Sequence, residues 1–473
     1  MVEERVSEYV QYSTVIGSLD PTYVGSFLEA LGAASKRGVV FSWVGPMKLM
    51  AALVRCPFDA SDEVSRSDLD PDWRPTRQAL VWLLRAGFSS SDSRIPFDLR
   101  EEAWRVLEPL TTDPEPVVRS EATAVAAELD PHHWSINTVR GSALHAVVEY
   151  ALWCRRALDA RGDDTGAGFD LMPEVREILD RHLDPQIEPT LTVRSVYGRW
   201  LPWLLLLDED WVVTNLSRIF PTDPELAGLR DVAWSTYIGW CPAYNSVFSP
   251  LRSEYMAAVD RVPSGGTFDI AGDEDIDVKL GEHLVVLYWR GVAPRSLLDR
   301  FFQQADDDLA GSVMEYVGRA LLNSEDEVTH AVGQRIQKLW DQRLETISDS
   351  AGEHGREARA FALTFAAAKF DEEWELRSFT RAFQLGGGAS RFGDFAIERV
   401  AQIANNEPVA ATRLTLELLR GSDNDWDYLA WGDEVRTVLL ATGDSGLDQA
   451  VENRKDIIDY YVTRGSHDFR NLM

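Results

Sequence analysis

The chain has 473 residues, of which 45% are hydrophobic, so it can bury a large core without disulfide bonds or metal staples. Its formal net charge of −30 comes from 77 acidic against 47 basic residues, and this field repels phosphate backbones at long range. Composition therefore argues against a disordered chain, a disulfide scaffold and a nonspecific nucleic-acid binder.

The cysteines, the first ten residues and the most apolar run indicate where in the cell the chain lies. Cys56, Cys154 and Cys241 lie far apart among apolar residues, without a CxxC pair, and are interpreted as small buried hydrophobes rather than zinc ligands. The acidic start 1–10 does not fit a signal peptide, and the apolar run 200–207 is too short to span a bilayer. We expect a cytoplasmic chain with no membrane anchor and no cofactor.

Residues that typically begin a helix recur along the chain from Pro21 onward. Apolar residues follow helical spacing between short polar links, and no stretch has the strict alternation of a surface strand. Aspartate is a good N-cap and proline fits the first helical turn, so an Asp-Pro pair can open a helix. The sequence therefore predicts an all-α fold. Such pairs occur at Asp20-Pro21, Asp113-Pro114, Asp130-Pro131, Asp184-Pro185 and Asp223-Pro224.

An internal similarity indicates repeated units. The tripeptide Thr-Val-Arg precedes a long amphipathic helix at 138–140 and again at 192–194. In the first of these helices the apolar residues form two adjacent stripes, which is typical of a helix covered by neighbouring repeats on two sides. The stripes consist of Val139, Ala143, Ala146, Val147, Tyr150 and Cys154, and of Leu144, Val148 and Leu152.

A related pattern lies upstream. An Asp-Pro pair at Asp113 is followed by Val118-Arg119 and then by the small or apolar residues Ala122, Ala126 and Leu129. This segment resembles the second helix of a HEAT repeat. The resemblance implies a HEAT-like α-α superhelix, in which the whole chain is one helical-repeat solenoid.

Two segments interrupt the helical pattern. Residues 161–170 (RGDDTGAGFD) and 263–277 (PSGGTFDIAGDEDID) are rich in glycine and aspartate and are predicted to be loops. The second loop divides the chain into an N-terminal helical-repeat region, 1–262, and a C-terminal helical-repeat region, 278–473. Loops on a rigid scaffold often carry function, so both are of interest.

The C-terminal region resembles a known group. The phrases LGEHLVVLYWRG, LLDRFFQQADDDLAGSVMEYVGRALLN, FAAAKFDEEWELRSFTRAF and VTRGSHDFRNLM are similar to the C-terminal helical region of large bacterial proteins. Some proteins of that group carry a STAND-type nucleotide-binding module upstream, as antiviral-defence sensors do. The resemblance implies a sensing role beside an NTPase module, in the same or another chain.

The acidic loop is the densest carboxylate set. Calcium and magnesium prefer several such oxygens, although the spacing does not match an EF-hand loop. We interpret it first as a solvated loop whose last aspartate caps a helix from Val278, and cation or partner binding stays open. Its carboxylates are Asp269, Asp273, Glu274, Asp275 and Asp277, of which Asp273 and Asp275 are candidate partner contacts.

Few histidines are present. His132 and His133 are adjacent and point to different sides of a helix, so we interpret them as a surface pair at a helix start rather than as metal ligands. His145 shares a polar strip with Ser142, Glu149 and Arg156. That strip either lines a concave groove or is simply exposed, with His145 beside Glu149 four residues on. His145 and Glu149 are therefore candidate partner contacts.

Tryptophan is abundant, with 16 residues, and this type is enriched in interface hot spots. The segment 422–432 (SDNDWDYLAWG) combines Trp426, Tyr428 and Trp431 with three aspartates. It either contacts a basic partner or tucks its rings over the neighbouring helices. These three aromatics complete the candidate partner-binding set. Further tryptophans near predicted chain breaks are Trp134, Trp211 and Trp240.

Common catalytic signatures are absent from the sequence. It contains no G-x-S-x-G, no H-E-x-x-H and no phosphate loop, since Gly386-Gly387-Gly388 is followed by alanine, serine and arginine. We therefore expect no enzyme and no catalytic, cofactor or metal residue. A nucleotide-driven switch would have to lie on another part of a longer protein or on a partner.

The leading hypothesis is a non-catalytic protein-binding scaffold. It would serve as the interaction part of a bacterial defence or signalling assembly, with a phage or host protein as partner. One alternative is a HEAT-like DNA glycosylase, which would need a basic groove with a tryptophan and an aspartate. Another is a constitutive structural subunit of a complex.

Overall fold

In the computed structural model, every regular element of the described residues is a helix, which confirms the all-α prediction. None of these helices is both long and apolar enough to cross a bilayer. The structure describes residues 20–55, 73–119, 121, 130–262, 276–349, 355–388, 392–422, 424, 426–443, 445–466, 469 and 472.

The described residues form two compact units, the first ending at Pro242 and the second beginning at Ala243. The predicted dividing loop, 263–277, lies outside the described residues except for its last two positions. The helices of the first unit are α1 (Pro21–Lys36), α2 (Val44–Leu53), α3 (Arg74–Ser89), α4 (Arg100–Leu110), α5 (Pro131–Asn137), α6 (Val139–Arg161), α7 (Pro173–His182), α8 (Leu191–Leu207), α9 (Glu209–Ile219) and α10 (Ala227–Trp240).

The first unit is built as a row of helices. Helices α1, α3, α6, α8 and α10 pack each against the next, while α2 packs on α4 and α4 on α6. Helix α6 is the longest of the described helices, with 23 residues, and its first two turns are buried apart from Arg140. The two adjacent apolar stripes are thereby confirmed, with only Leu152 partly exposed. The helix ends where Gly162 adopts φ +80°, a left-handed conformation that favours glycine.

The aspartates of the Asp-Pro pairs behave in two ways. Asp20 and Asp130 cap α1 and α5, because each carboxylate accepts the backbone N–H two residues on. Asp223 does the same but opens only the short 3₁₀ helix Pro224–Leu226. After Asp184 the chain forms a turn instead, and after Asp113 it bends before helical residues appear at Val118 and Arg119. Asp-Pro thus predicts a turn-initiating cap, and the following residues decide whether a helix continues.

The repeated Thr-Val-Arg tripeptide has a shared physical role. Its two copies open α6 and α8, although α8 begins at Leu191, before the tripeptide. Arg140 donates to the carbonyl oxygens of Asp113 and Pro116, and Arg194 donates to those of Leu183 and Arg218. Arg140 therefore ties a preceding loop to the start of α6, and Arg194 ties the end of α7 and the last turn of α9 to the start of α8. The HEAT-like helix predicted after Asp113 lies largely outside the described residues.

The second unit has its own row of helices. Helices α13, α15, α18 and α20 pack each against the next, and α20 contacts α21 and α23. The helices of this unit are α11 (Asn245–Phe248), α12 (Arg252–Val259), α13 (Ile276–Trp289), α14 (Arg295–Gln304), α15 (Asp307–Leu322), α16 (His330–Asp349), α17 (Gly355–Arg359), α18 (Phe361–Ala366), α19 (Glu372–Leu385), α20 (Gly393–Ile403), α21 (Pro408–Gly421), α22 (Asp427–Ala430), α23 (Gly432–Ala441) and α24 (Asp448–Thr463).

Buried ion pairs link neighbouring helices of the second unit. Arg343 of α16 makes a two-point ion pair with Glu357 of α17, and Arg399 of α20 pairs with Glu375 of α19. Both glutamates are fully buried. Asp307 accepts the backbone N–H groups of Arg356 and Glu357, so it fixes the start of α17. The contacts with Arg343 and Asp307 position α17, a helix of only five residues with little apolar surface of its own.

Candidate functional site

A polar seam joins α3 to α6 in the first unit. Its members are Gln78 and Arg85 on α3 and Ser142, Glu149 and Arg156 on α6. The Gln78 amide donates to Ser142 Oγ at 2.8 Å, and Arg85 holds both Glu149 oxygens at 2.9 Å. Arg156 donates to a carbonyl oxygen in the last turn of α3. Most of the predicted polar strip of α6 therefore forms hydrogen bonds and ion pairs with α3.

Beside this seam lies a groove of about 550 Å³, bordered by α1 and α3. We call it the inter-helix groove. Trp82 stands at its side with 37% of its surface exposed, and small apolar residues form the floor. Two acidic and two basic side chains are among its lining, so its charge is mixed. The lining consists of Leu28, Glu29, Gly32, Ala33, Lys36, Trp82, Leu83, Arg85, Ala86, Ser89, Ile136 and Glu149.

Glu149, predicted as a partner contact, does line this groove. Both of its oxygens accept hydrogen bonds from Arg85, and the two side chains are largely buried. The pair is therefore a neutral part of the groove wall rather than a free carboxylate. A partner would contact its edge and would not replace Arg85 without leaving a half-buried cation unpaired.

His145 needs correction in both of its predicted interpretations. It is 2% exposed, so it neither lines an open groove nor stands in solvent. Its Nδ1 accepts from the Trp200 indole N–H at 2.7 Å, and its Nε2 lies 2.8 Å from Ser135 Oγ. Helix α8, far along the chain, supplies the tryptophan that makes burial of this histidine possible. The helical spacing of α6 alone carries no sign of that partner.

The Ser135–His145 contact is not a nucleophile–base pair. An indole N–H can only donate, so His145 Nδ1 is the acceptor and the neutral ring carries its proton on Nε2. That N–H points at Ser135 Oγ, whose own hydrogen goes to the His132 carbonyl oxygen at 2.6 Å. The imidazole thus has no lone pair left to take the serine proton. The arrangement orders the chain and performs no proton transfer.

An imidazole–indole cluster extends from this contact toward the surface. The His132 ring lies 5.6 Å from His145 and 4.7 Å from Trp240, and Trp200 lies 5.2 Å from Trp203. His132 is buried, so the predicted surface pair is wrong for it and right only for His133. The cluster consists of His132, His145, Trp200, Trp203 and Trp240.

Arg199 sets the charge of this cluster. Its guanidinium lies 5.5 Å from the centre of the Trp200 ring and 5.1 Å from that of Trp203. Burial, and then the positive charge of Arg199, lowers the pKa of His132 from 6.5 to about 3. Burial likewise lowers the pKa of His145 well below its usual value. Both imidazoles are therefore neutral at physiological pH.

We expect the contribution of His132 to the stability of the first unit to be lost on acidification below pH 6.5. His132 stays neutral in the folded chain down to about pH 3 but protonates near pH 6.5 when unfolded, so the unfolded state binds more protons between these values. The stabilisation that comes from the neutral His132 is complete above pH 6.5. Below that value it decreases by about 1.4 kcal/mol for each unit by which the pH is lowered. At pH 5 the loss is about 2 kcal/mol for His132 alone.

Urea unfolding at pH 7 and pH 5 checks this expectation. His132→Phe removes one titrating group and should lower the pH dependence by about one proton. The neighbouring substitution His133→Gln changes an exposed ring and serves as the control, with the wild-type dependence retained. Equal pH dependence in the wild type and in His132→Phe would contradict the assigned neutral state.

The aromatic segment 422–432 separates into different environments. Trp426 is 69% exposed, Tyr428 packs partly buried against Tyr461, and Trp431 is only 3% exposed. The Trp431 indole donates to Asp394 of α20, so its prediction as a partner contact needs correction. Burial of this ring anchors α23, whereas the Trp426 ring remains accessible.

Several other predicted positions have different outcomes. Cys154 and Cys241 are buried as expected, and Trp211 is buried with its indole donating to Asp180. Asp277 lies within the first turn of α13 rather than ahead of the helix. The remaining predictions on Cys56 and on the loop carboxylates Asp269, Asp273, Glu274 and Asp275 lie outside the described residues.

Sequence reasoning missed the inter-helix groove. Its signal was present on α3, where Arg74, Gln78, Trp82, Arg85 and Ser89 follow helical spacing and form one polar-aromatic stripe. Among the described residues, no three His, Cys, Asp or Glu side chains come together as a metal site would require. Comparison of the chain with protein-family models, with curated proteins and with solved structures finds no match.

Proposed function

We propose that this chain is a non-catalytic protein-binding scaffold, and that its partner lies along the inter-helix groove of the first unit. The observation that carries the proposal is the groove itself, which combines an apolar floor, an accessible tryptophan and balanced charges on one helix row. Tryptophan buries a large area with little loss of side-chain entropy, so Trp82 suits the centre of a protein interface.

The helix order supports a repeat architecture. Each central helix packs on the next along the row, as helices do in HEAT-like solenoids, and Thr-Val-Arg recurs at two of them. We therefore propose that each unit is a HEAT-like array. Such arrays present long surfaces made of one face from each repeat, and these surfaces suit recognition of protein segments.

The charge of the groove favours a protein over a nucleic acid. A glycosylase-like enzyme needs a basic track along its groove, because phosphate contacts dominate its affinity. Here Lys36 and Arg85 are balanced by Glu29 and Glu149, and Arg85 is already paired with Glu149. A net charge of −30 adds long-range repulsion of phosphates.

The resemblance of the C-terminal region to STAND-associated bacterial proteins extends the proposal. On that basis the scaffold is the recognition part of a larger defence or signalling assembly. Its partner is then a phage or host protein, or an NTPase module. Capture that depends on infection would distinguish this role from that of a constitutive structural subunit.

Affinity capture from a bacterial host, before and during phage infection, tests the proposal. We expect a protein retained by the wild type to fall at least tenfold with Trp82→Ala, because the substitution removes the exposed ring of the groove. Trp426→Ala is the matched control, since it removes an exposed tryptophan from the second unit. Thermal unfolding of each variant establishes that the fold is retained.

The outcomes separate the hypotheses. If only Trp82→Ala loses the captured protein, the groove is supported as the binding surface. If only Trp426→Ala loses it, the interface lies on the second unit. A partner present only during infection supports a sensor, whereas the same host protein in both samples supports a constitutive subunit. Identical capture by all three chains would contradict the groove as the binding surface.

A further inference from the structure

A second cavity lies farther toward the N-terminus of α3. It has a volume of about 310 Å³, at the lower end of the sizes of ligand pockets, and we call it the α3–α5 pocket. It is lined by Arg74, Pro75, Gln78, Glu115, Trp134, Asn137 and Thr138.

Three buried polar atoms of this lining have no hydrogen-bond partner in the part of the chain that the structure describes. They are Gln78 Oε1, Trp134 Nε1 and Thr138 Oγ1. Gln78 and Thr138 are 8% and 2% exposed. Leaving buried polar groups unpaired is unfavourable, and native structures contain few of them. Three of them line this one small pocket, where the polar groups of a bound molecule would complete their hydrogen bonds.

The orientation of Gln78 is fixed by its other atoms. Its amide nitrogen donates to the Ile136 carbonyl oxygen at 3.0 Å and to Ser142 Oγ at 2.8 Å. Both amide hydrogens are thereby used, so the oxygen is left as a pure acceptor. Trp134 Nε1 is a pure donor, and the Thr138 hydroxyl can act either way. The pocket therefore offers one fixed acceptor and one fixed donor.

A charged ligand does not suit this pocket. Arg74 lies 3.2 Å from a Glu115 oxygen, so the two ionic side chains of the lining neutralise each other. A neutral ligand with one N–H and one C=O matches the fixed acceptor and donor, and an amide group has both.

The position of the pocket favours a main-chain amide. Arg74 and Gln78 line it, whereas Trp82, Arg85 and Ser89 line the inter-helix groove, and all five lie on one stripe of α3. Helix α3 has 16 residues and is therefore about 24 Å long. An extended segment of about seven residues covers that length, and it carries a peptide group at every step.

We propose that the α3–α5 pocket binds a main-chain peptide group of an extended segment of the partner, with its N–H donating to Gln78 Oε1 and its C=O accepting from Trp134 Nε1. This inference rests on the proposed protein-binding function and names the chemistry that is recognised. Thr138 Oγ1 supplies a third hydrogen bond to the same or the next peptide group.

Titration of the chain with N-methylacetamide, a secondary amide, tests the inference. With 5-fluorotryptophan incorporated, the fluorine signal absent from Trp134→Phe identifies the Trp134 ring. We expect that signal to shift saturably with N-methylacetamide and at least fivefold more weakly with N,N-dimethylacetamide, which has no N–H for Gln78. Thr138→Val should weaken binding while leaving the unfolding midpoint unchanged or higher, because it removes an unpaired hydroxyl.

The contrary results are distinct. Equal binding of the two amides, preference for acetamide over N-methylacetamide, or a response only to acetate or methylammonium would overturn the inference. Gln78→Met also removes the hydrogen bonds to Ile136 and Ser142, so Thr138→Val and calorimetric titration of Trp134→Phe keep the test decisive. The capture experiment with Trp82→Ala does not involve this pocket. If the amide titration fails while the wild type still captures a partner through Trp82, only this inference is refuted.

Discussion

Glu357→Gln is expected to lower the free energy of unfolding by about 3–5 kcal/mol, the cost of leaving one charge of a buried ion pair alone. Glu357 is fully buried, and Arg343 reaches its two oxygens at 2.6 and 2.8 Å. The glutamine amide keeps one acceptor oxygen but turns an NH2 group toward the Arg343 guanidinium, whose charge then has only the Phe302 ring, 4.6 Å away, beside it. That contact does not compensate a desolvated cation.

Urea unfolding of the wild type and two further variants isolates the cause. Asp308→Asn breaks the exposed pair with Arg356 and should cost less than about 1 kcal/mol. The double change Arg343→Met with Glu357→Leu removes both charges and should recover most of the loss. A double variant as unstable as Glu357→Gln would assign the effect to packing of α17 rather than to the unpaired charge.

The fold was predictable where local chemistry decides it. Helical spacing gives the all-α class, and the capping aspartates Asp20 and Asp130 work within their own segments. The two apolar stripes of α6 predict a helix covered on both sides because a wide apolar surface must be buried. These signals depend on residues within one or two helical turns.

The candidate site was less predictable because its partners lie far apart in the chain. His145 looked polar and exposed, yet Trp200 of α8 and Ser135 of α5 satisfy both ring nitrogens. Trp431 looked like an exposed anchor, yet Asp394 accepts its N–H. Each of these two side chains is buried because a distant element supplies its partner, and a single sequence does not indicate which element that is.

The groove has the same origin. The stripe on α3 is visible in the sequence, but its meaning depends on which neighbour covers it. Gln78 and Arg85 bind polar side chains of α6, whereas Trp82 remains exposed beside α1. The interface hypothesis based on tryptophan was therefore sound in kind, while the position of the accessible ring followed only from helix packing.

Close approach of α8 and α10 is the tightest backbone contact on which the imidazole–indole cluster depends. A Cβ on Gly198 of α8 would lie 2.1 Å from the Ala233 carbonyl oxygen and 2.9 Å from its carbon. Both atoms belong to the backbone of α10, so no side chain can turn aside. Trp200 and Trp203 follow on α8, and Trp240 ends α10.

Gly198→Ala is therefore expected to lower the free energy of unfolding by about 3 kcal/mol, even though alanine favours a helix by about 1 kcal/mol over glycine. The helices must separate, which also weakens the Trp200–His145 hydrogen bond. Gly228→Ala on α10 is the matched control, because its nearest contact would be 3.5 Å from a Leu191 methyl group. That change should be neutral or stabilising.

Urea unfolding and tryptophan fluorescence of the two variants measure these effects together. Gly198→Ala should unfold at lower urea, and its folded state should have an altered emission from the displaced indoles. Gly228→Ala should match the wild type in emission. Equal stability of the two alanine variants would mean that α8 and α10 can separate freely, and the cluster would then not depend on a fixed helix contact.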